Sequence, residues 1–278
     1  MISLLGIPYD ASSSFMRGPA QAPEAIREAL LSPSANLSIE NGMMFEFGQT
    51  VTDLGNVDFR ELDFESESAG TGRAIARERI TASVLEALKT NRKLISLGGD
   101  HSVTYPILQA LAPQYDRLTI VQFDAHPDLH EDFEGDRYSH ACPFARILEE
   151  FSHVSLIQIG IRTLNQHCRS QAERFGVEVY EMANLPELGN LRIEGPAYIS
   201  LDLDVLDPAY APGISHHEPG GMSVRDVITQ IHRMDAEIIG ADLVELNPTR
   251  DINGVSAMVA AKLTRELAGK LLETPATR

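Results

Sequence analysis

The sequence predicts an α/β fold built on a parallel sheet, and three observations carry that prediction. Short apolar and β-branched runs alternate with amphipathic segments along the 278 residues, and parallel strands need crossover segments of this kind. Several runs are apolar at consecutive positions, as in strands covered on both faces. No internal repeat, low-complexity tract or Pro/Ser-rich linker interrupts the chain, so one domain over residues 1–278 is expected. A doubly wound open sheet is the first expectation and a closed (β/α)8 barrel the second, because pattern alone does not separate them.

Taken in chain order, the strand segments are Ile2–Gly6, Val51–Leu54, Lys93–Leu97, Leu118–Phe123, Val154–Ile159, Val177–Tyr180, Ala197–Leu203 and Ile238–Leu246. Helical signals fall between them. Pro23 stands at a first-turn position before the run EAIREAL, where a missing N–H costs nothing. Thr71–Thr90 has apolar residues at near-helical spacing and ends in Asn91. Ser223 and Asp226 have capping-box spacing ahead of Val224–Met234, and Asn253–Glu273 reads as a long C-terminal helix.

Charge narrows the function classes. Forty acidic against 23 basic residues give a formal charge of −17, which repels nucleic-acid phosphate and anionic membrane and favours cationic ligands. No apolar run reaches the roughly 20 residues of a membrane span. The opening MISLLGIPYD has no basic n-region or small-residue cleavage site and reads as a strand. Cys142 and Cys168 lack metal-type spacing, so reduced thiols in a cytoplasmic protein are expected.

Three motifs directly follow expected strands: SLGGDHS (96–102), FDAHPDL (123–129) and SLDLDVLDP (200–208). In open α/β sheets the ligand crevice lies at the carboxyl ends of strands. Asp124, His126 and Asp128 alternate, as do Asp202 and Asp204, and in extended backbone alternate side chains share one face. His101 can reach the same crevice from the Gly98-Gly99 turn. Any one of these residues is ordinary as a cap or turn residue; three polar rows at three strand ends are not. Four carboxylates and two imidazoles without a thiolate suit Mn²⁺, with Fe²⁺, Co²⁺, Ni²⁺ or Zn²⁺ as alternatives. Six ligands are too many for one catalytic ion, and two ions sharing carboxylates fit better. Metal-dependent phosphoester hydrolysis would need cationic phosphate clamps, which do not accompany the motifs. A metal-dependent binding or assembly module is the non-enzymatic alternative.

Together GGDHS, DAHPD and SLDLDVLDPAYAPG resemble the signature of the ureohydrolase superfamily, the arginases and agmatinases. The resemblance spans almost the whole chain and is nearest to plant-type arginases and their bacterial relatives, through FEGDRYSHACPFARI, QIGIRTLNQ, RFGVEVYEM, SHHEPGGMSVRDV and GADLVELNPTRD. It implies a three-layer α/β/α fold with an eight-stranded, mostly parallel sheet, a homotrimer or homohexamer, and two Mn²⁺ per subunit. The implied reaction is hydrolysis of a guanidino C–N bond with release of urea. By the resemblance, His101 and Asp128 bind one ion, His126 and Asp204 the other, and Asp124 and Asp202 bridge them. Asp128 also orients the attacking water, His140 carries a proton to the leaving amine, and Glu245 holds the guanidinium by paired hydrogen bonds. His130 is a weaker candidate for the proton carrier. His216, His217 and Glu218 belong to a Gly/Pro-rich loop at the rim, with His217 a loop residue rather than a ligand.

The substrate turns on the loop LHEDFEGDRYSHA, where Asp136 and Arg137 are the candidate binding residues. Arginine carries an α-carboxylate that agmatine lacks. An acidic loop repels that carboxylate, so agmatine is the favoured substrate on loop chemistry and arginine the alternative from whole-chain similarity. A formimino substrate with a long acidic tail is disfavoured, since no basic cluster marks the loop.

Overall fold

The computed structural model describes residues 1–66, 69–91, 93–185 and 191–273. Eight strands form one sheet: β1 (Ile2–Gly6), β2 (Val51–Asn56), β3 (Leu94–Leu97), β4 (Leu118–Phe123), β5 (Val154–Ile161), β6 (Glu178–Glu181), β7 (Arg192–Asp202) and β8 (Asp235–Val244). Their spatial order is β2-β1-β3-β8-β7-β4-β5-β6, and every neighbouring pair is parallel. The sheet is open, with β2 and β6 at its edges, so the closed barrel is excluded.

Among the described residues, seven α-helices cover the two faces: α1 (Ala22–Leu30), α2 (Ala69–Thr90), α3 (Thr104–Leu111), α4 (Pro143–Glu150), α5 (Gln166–Phe175), α6 (Val224–Arg233) and α7 (Val255–Leu272). One apolar layer joins the sheet to α1, α6 and α7 through residues such as Ile26, Ile231 and Leu267. The other joins it to α2, α3, α4 and α5 through Ile80, Ile107, Phe144 and Ala172. Covering both faces in this way removes the whole central sheet from water, which explains the consecutive apolar positions in β1, β3 and β4.

Several boundaries move for physical reasons. β7 and β8 begin earlier than their apolar runs because their first residues are exposed and polar, Arg192 and Glu194 on one and Asp235 and Glu237 on the other. α7 starts at Val255 and not at Asn253, since Asn253 (φ 54°) and Gly254 (φ 72°) are both left-handed and cannot continue a right-handed helix. The capping box of α6 forms, with the Ser223 hydroxyl accepting from the Asp226 backbone N–H and the Asp226 carboxylate accepting from that of Ser223.

Topology positions the site. The four central strands are β3, β8, β7 and β4; His101, Glu245 and Asp124 follow β3, β8 and β4, while β7 ends in Asp202 and is followed by Asp204. Strands distant in sequence thus deliver their ends to one point above the middle of the sheet.

Candidate active site

Beneath that point lies a buried polar row. Ser96, Asp242, Ser200, Gln122 and Gln158 are register partners across β3, β8, β7, β4 and β5, and all are fully buried. Asp242 accepts hydrogen bonds from the hydroxyls of Ser200 (2.8 Å), Tyr198 (2.9 Å) and Thr104 (2.9 Å). Because the Ser200 hydroxyl donates to Asp242, its oxygen can accept from Nε2 of His101 at 3.0 Å. That fixes the His101 proton on Nε2 and turns the Nδ1 lone pair toward the crevice.

Nδ1 then faces three carboxylate oxygens: Asp128 at 3.0 Å, Asp124 at 3.1 Å and Asp202 at 3.2 Å. It is buried and makes no aligned hydrogen bond with any of them. A lone pair surrounded by anionic oxygens is repulsive unless a positive charge lies between them. A short distance away, Nδ1 of His126 is 2.8 Å from Asp204 and 3.6 Å from the other oxygen of Asp124. The two groups His101/Asp124/Asp202 and Asp124/His126/Asp204 each gather their donor atoms within 4.8 Å, and Asp124 belongs to both. This donor set fits two divalent cations with Asp124 between them. Asp202 falls in the first group only, and Asp128 approaches the cluster through His101.

Electrostatics point the same way. Burial raises the proton affinity of Asp202 well above the usual carboxylate range, and neighbouring Asp204 and Asp124 add to it. Asp128 is raised by burial and by Asp124. Burial alone would discharge His101 and His126, yet the surrounding aspartates push both well above ordinary imidazole. The cluster is short of positive charge, and protons or cations must supply it.

The convergence does not come from extended strands, as the alternating spacing suggested. β4 and β7 end at Phe123 and Asp202, and the segments beyond them turn. The carboxylates fold their own loops: Asp124 Oδ1 accepts from the His126 N–H (2.6 Å), and Asp202 Oδ1 from the Asp204 N–H (2.8 Å). Asp204 Oδ1 accepts from the Ala125 N–H at 3.0 Å, tying the β7 loop to the β4 loop. Each of these aspartates spends one oxygen on the backbone and directs the other at an imidazole. Asp128 (φ 48°) and Glu245 (φ 64°) adopt left-handed backbone, a strain of about 1–3 kcal/mol each that such sites tolerate.

The Gly98-Gly99 turn works by close approach, with neither glycine at positive φ. A Cβ on Gly99 would lie 1.7 Å from the Tyr9 carbonyl oxygen, which also accepts from the Asp100 N–H. Gly99→Ala is therefore expected to cost about 1–3 kcal/mol of stability and to weaken metal binding by shifting His101. Denaturant unfolding and metal titration check this; a wild-type midpoint would mean the segment after β1 that carries Tyr9 can retreat.

Above the cluster is a cavity of about 240 Å³. Its lining includes Asp128, Asp202, Asp204 and His126, then Glu245, His140 and His216, then Ser14, His130, Phe133, Thr163 and Asn165. Glu245 Oε1 accepts from the His101 N–H (2.8 Å) and lies 3.2 Å from His140 Nδ1. Oε1 is doubly engaged, so the paired grip expected of Glu245 narrows to its second oxygen. His140 is buried, and its Nε2 lies 2.9 Å from the Ser14 hydroxyl. Burial opposes protonation of His140, but its hydrogen bond to Glu245 and that group's charge push the imidazole up to about 9. Glu245 is correspondingly lowered: burial would raise it, and His140 overrides burial.

Asp136 and Arg137 do not line this cavity. Asp136 is paired with Arg73 on α2 at 3.2 Å, and Arg137 turns outward to Glu149 on α4 at 2.9 Å. The loop folds its charges onto helices that sequence could not identify as its neighbours. His130 does line the cavity, stacked on His167 (5.1 Å) and 3.4 Å from Asn165 Nδ2. His217 bonds to the Pro212 carbonyl, and Glu218 offers its own carbonyl to Arg162.

Sequence reasoning missed Ser200 and Asp242 as supports of His101, Asn165 as a cavity residue, and Arg162. The Arg162 guanidinium donates to the carbonyls of Asp204 (2.7 Å), Val205 (3.2 Å), Leu206 (3.3 Å) and Glu218 (2.7 Å), bracing the Asp202–Asp204 turn. The available signal was position, since Arg162 directly follows a strand.

Comparison with known proteins agrees with this geometry. The family model described as the arginase family matches residues 1–269. The chain is 46% identical to "Arginase 1, mitochondrial" of Arabidopsis thaliana over 97% of its length and 80% of that protein. It is 31% identical to an agmatinase of Bacillus anthracis, over 96% and 90% of the two chains. The solved structure of an arginase from Medicago truncatula superimposes with a TM-score of 0.90 at 41% identity, covering 97% of this chain and 87% of that one. A parallel eight-stranded sheet, a His/Asp cluster with a shared aspartate at its centre and similarity along nearly the whole length lead to one assignment: the chain belongs to the arginase family and is a ureohydrolase acting on guanidino C–N bonds.

Proposed function

We propose that the protein hydrolyses arginine to ornithine and urea, using two manganese ions held by His101, Asp124, His126, Asp128, Asp202 and Asp204. The observation that carries this reading is Asp124 shared between two His/Asp groups at the floor of a cavity walled by Glu245 and His140. The ions, when bound, supply the charge that makes water acidic near neutral pH and polarises the site. Glu245 Oε2 accepts an N–H of the guanidinium and orients its carbon. Asp128 orients the attacking water through its second oxygen. Protonated His140 holds its Nδ1–H toward Glu245 and supplies the proton that the leaving amine needs.

Arginine replaces agmatine as the favoured substrate. The acidic-loop argument required Asp136 to face the cavity, and it is paired with Arg73 instead. Beyond the His/Asp cluster and Glu245, the cavity lining of Ser14, His130, Phe133, Thr163 and Asn165 offers no carboxylate to the ammonium of agmatine. It does offer a donor for an α-carboxylate: the Asn165 Oδ1 is spent capping α5 at the Cys168 N–H, and Nδ2, which meets His130 with one hydrogen, has its second to give. The relatives at 41–46% identity are plant arginases, against 31% for the agmatinase of Bacillus anthracis. Two buried, unpaired thiols, Cys142 and Cys168, fit a reducing cytosol. Among the described residues no helix is long and apolar enough to cross a membrane. A homotrimer or homohexamer completes the proposal and is open to light scattering.

The test is hydrolysis by the manganese-loaded protein of arginine, agmatine and guanidinobutyrate side by side. A site with donors committed to an α-carboxylate should favour arginine over agmatine by about 100-fold or more in kcat/KM. Faster turnover of agmatine would reverse the assignment.

A further inference from the structure

His216 sits between the two imidazoles that matter most in the cavity. Its ring stacks on His140, with centroids 5.3 Å apart and planes 26° apart. Its edge meets His126 at 5.7 Å and 72°, and Phe15 packs against it at 5.7 Å. The loop carrying it is pinned immediately before and after. Gly213 donates its N–H to the Ser256 hydroxyl (2.7 Å) and accepts from the Asn247 N–H (2.8 Å). Ile214 bridges to Leu246, and Asn247 Nδ2 donates to the Ser215 hydroxyl at 3.0 Å. His217 closes the other side through the Pro212 carbonyl at 2.8 Å.

His140 needs such a neighbour. Its hydrogen-bond partners, Glu245 and Ser14, both lie at ring nitrogens. Bonds of that kind locate the nitrogens but resist tilting of the ring plane only weakly, because the outer torsion of histidine is broad. Ser14 is also exposed, so water competes for that anchor. A flat ring on the face of His140 supplies the missing restraint, with a preference for parallel-offset contact.

We propose that His216 is a positioning residue for His140: its ring fixes the plane of the proton-carrying imidazole, and flatness rather than a nitrogen is what it contributes. The inference rests on the reading of His140 as proton carrier. It extends that reading to a loop residue that the sequence placed only at the rim.

The test uses the full chain reconstituted with Mn²⁺ and whichever guanidino substrate it turns over fastest. His216→Ala should lower kcat about tenfold, the scale of a modest misplacement of a reacting group, with a smaller change in KM and an unchanged metal-to-protein ratio. His216→Phe should restore most of the loss. If the alanine variant does not fold, His216→Leu keeps the volume without the flat ring and carries the same expectation. In a His140→Ala background, adding the His216 substitution should lower kcat no further, because residues acting as one unit are not additive. Additive losses in that cycle, or a phenylalanine variant no better than alanine, would overturn the role of His216 alone. Wild-type kcat in His140→Ala by itself would remove the proton role and this inference with it.

Discussion

Asp124→Ala is expected to abolish metal binding and turnover together. Among the described residues Asp124 is the one carboxylate common to both His/Asp groups, with one oxygen 3.1 Å from His101 Nδ1 and the other 3.6 Å from His126 Nδ1. Gln122 Nε2 donates to it at 2.6 Å, and the His126 N–H does so from the other side, so its orientation is fixed before any ion arrives. Removing a group that only supports a ligand already costs about 10–100-fold in metal affinity, and a shared ligand should cost more, on both ions. The apo protein should change as well. Against the effect of burial, His101 and His126 hold Asp124 below the usual carboxylate range, and it accepts from Gln122 and the His126 N–H. The metal-free variant should therefore melt earlier than the metal-free wild type, by about 1–3 kcal/mol for the buried donors left unpaired. Manganese at about 100 times its dissociation constant stabilises a protein by about 2.7 kcal/mol, and the variant should lose that increment. Melting with and without Mn²⁺, metal analysis and urea release check all three expectations. A variant that keeps two ions and normal turnover would remove Asp124 from the centre.

His140→Ala should produce the complementary phenotype, with metal retained and kcat reduced. His140 is absent from both metal groups. It bonds Glu245 and Ser14 in the cavity wall, and its imidazole is pushed up to about 9, so it is charged at neutral pH. A positioned proton donor typically contributes about 10²–10⁴-fold to rate, and a loss in this range is expected with the metal-to-protein ratio unchanged. KM should move less than kcat, because Glu245 keeps its bond from the His101 N–H and its free oxygen. Unchanged kcat would exclude His140, and loss of metal would make it part of the centre instead.

The amino-acid sequence by itself determined much of this protein. Its consecutive apolar runs announced a buried parallel sheet, and its strand-end motifs named the residues that meet in the His/Asp cluster, while Glu245 and His140 were singled out through the family resemblance. These are local signals: burial on two faces and polar groups at strand tips both leave marks within a few residues. Only the tertiary structure decided which strand ends are neighbours. The order β3-β8-β7-β4 places Ser200 and Asp242 as register partners beneath His101, fixing its proton on Nε2. It also ties Asp136 to Arg73, 63 positions away, and Arg137 to Glu149 on α4, which took the expected substrate contacts out of the cavity. It stacks His216 on His140 across 76 positions of chain (216 − 140). The physical reason is common to all four. Whether a charge is a binding group or a paired surface group depends on which element packs opposite it, and strand order, a property of the whole fold, decides that.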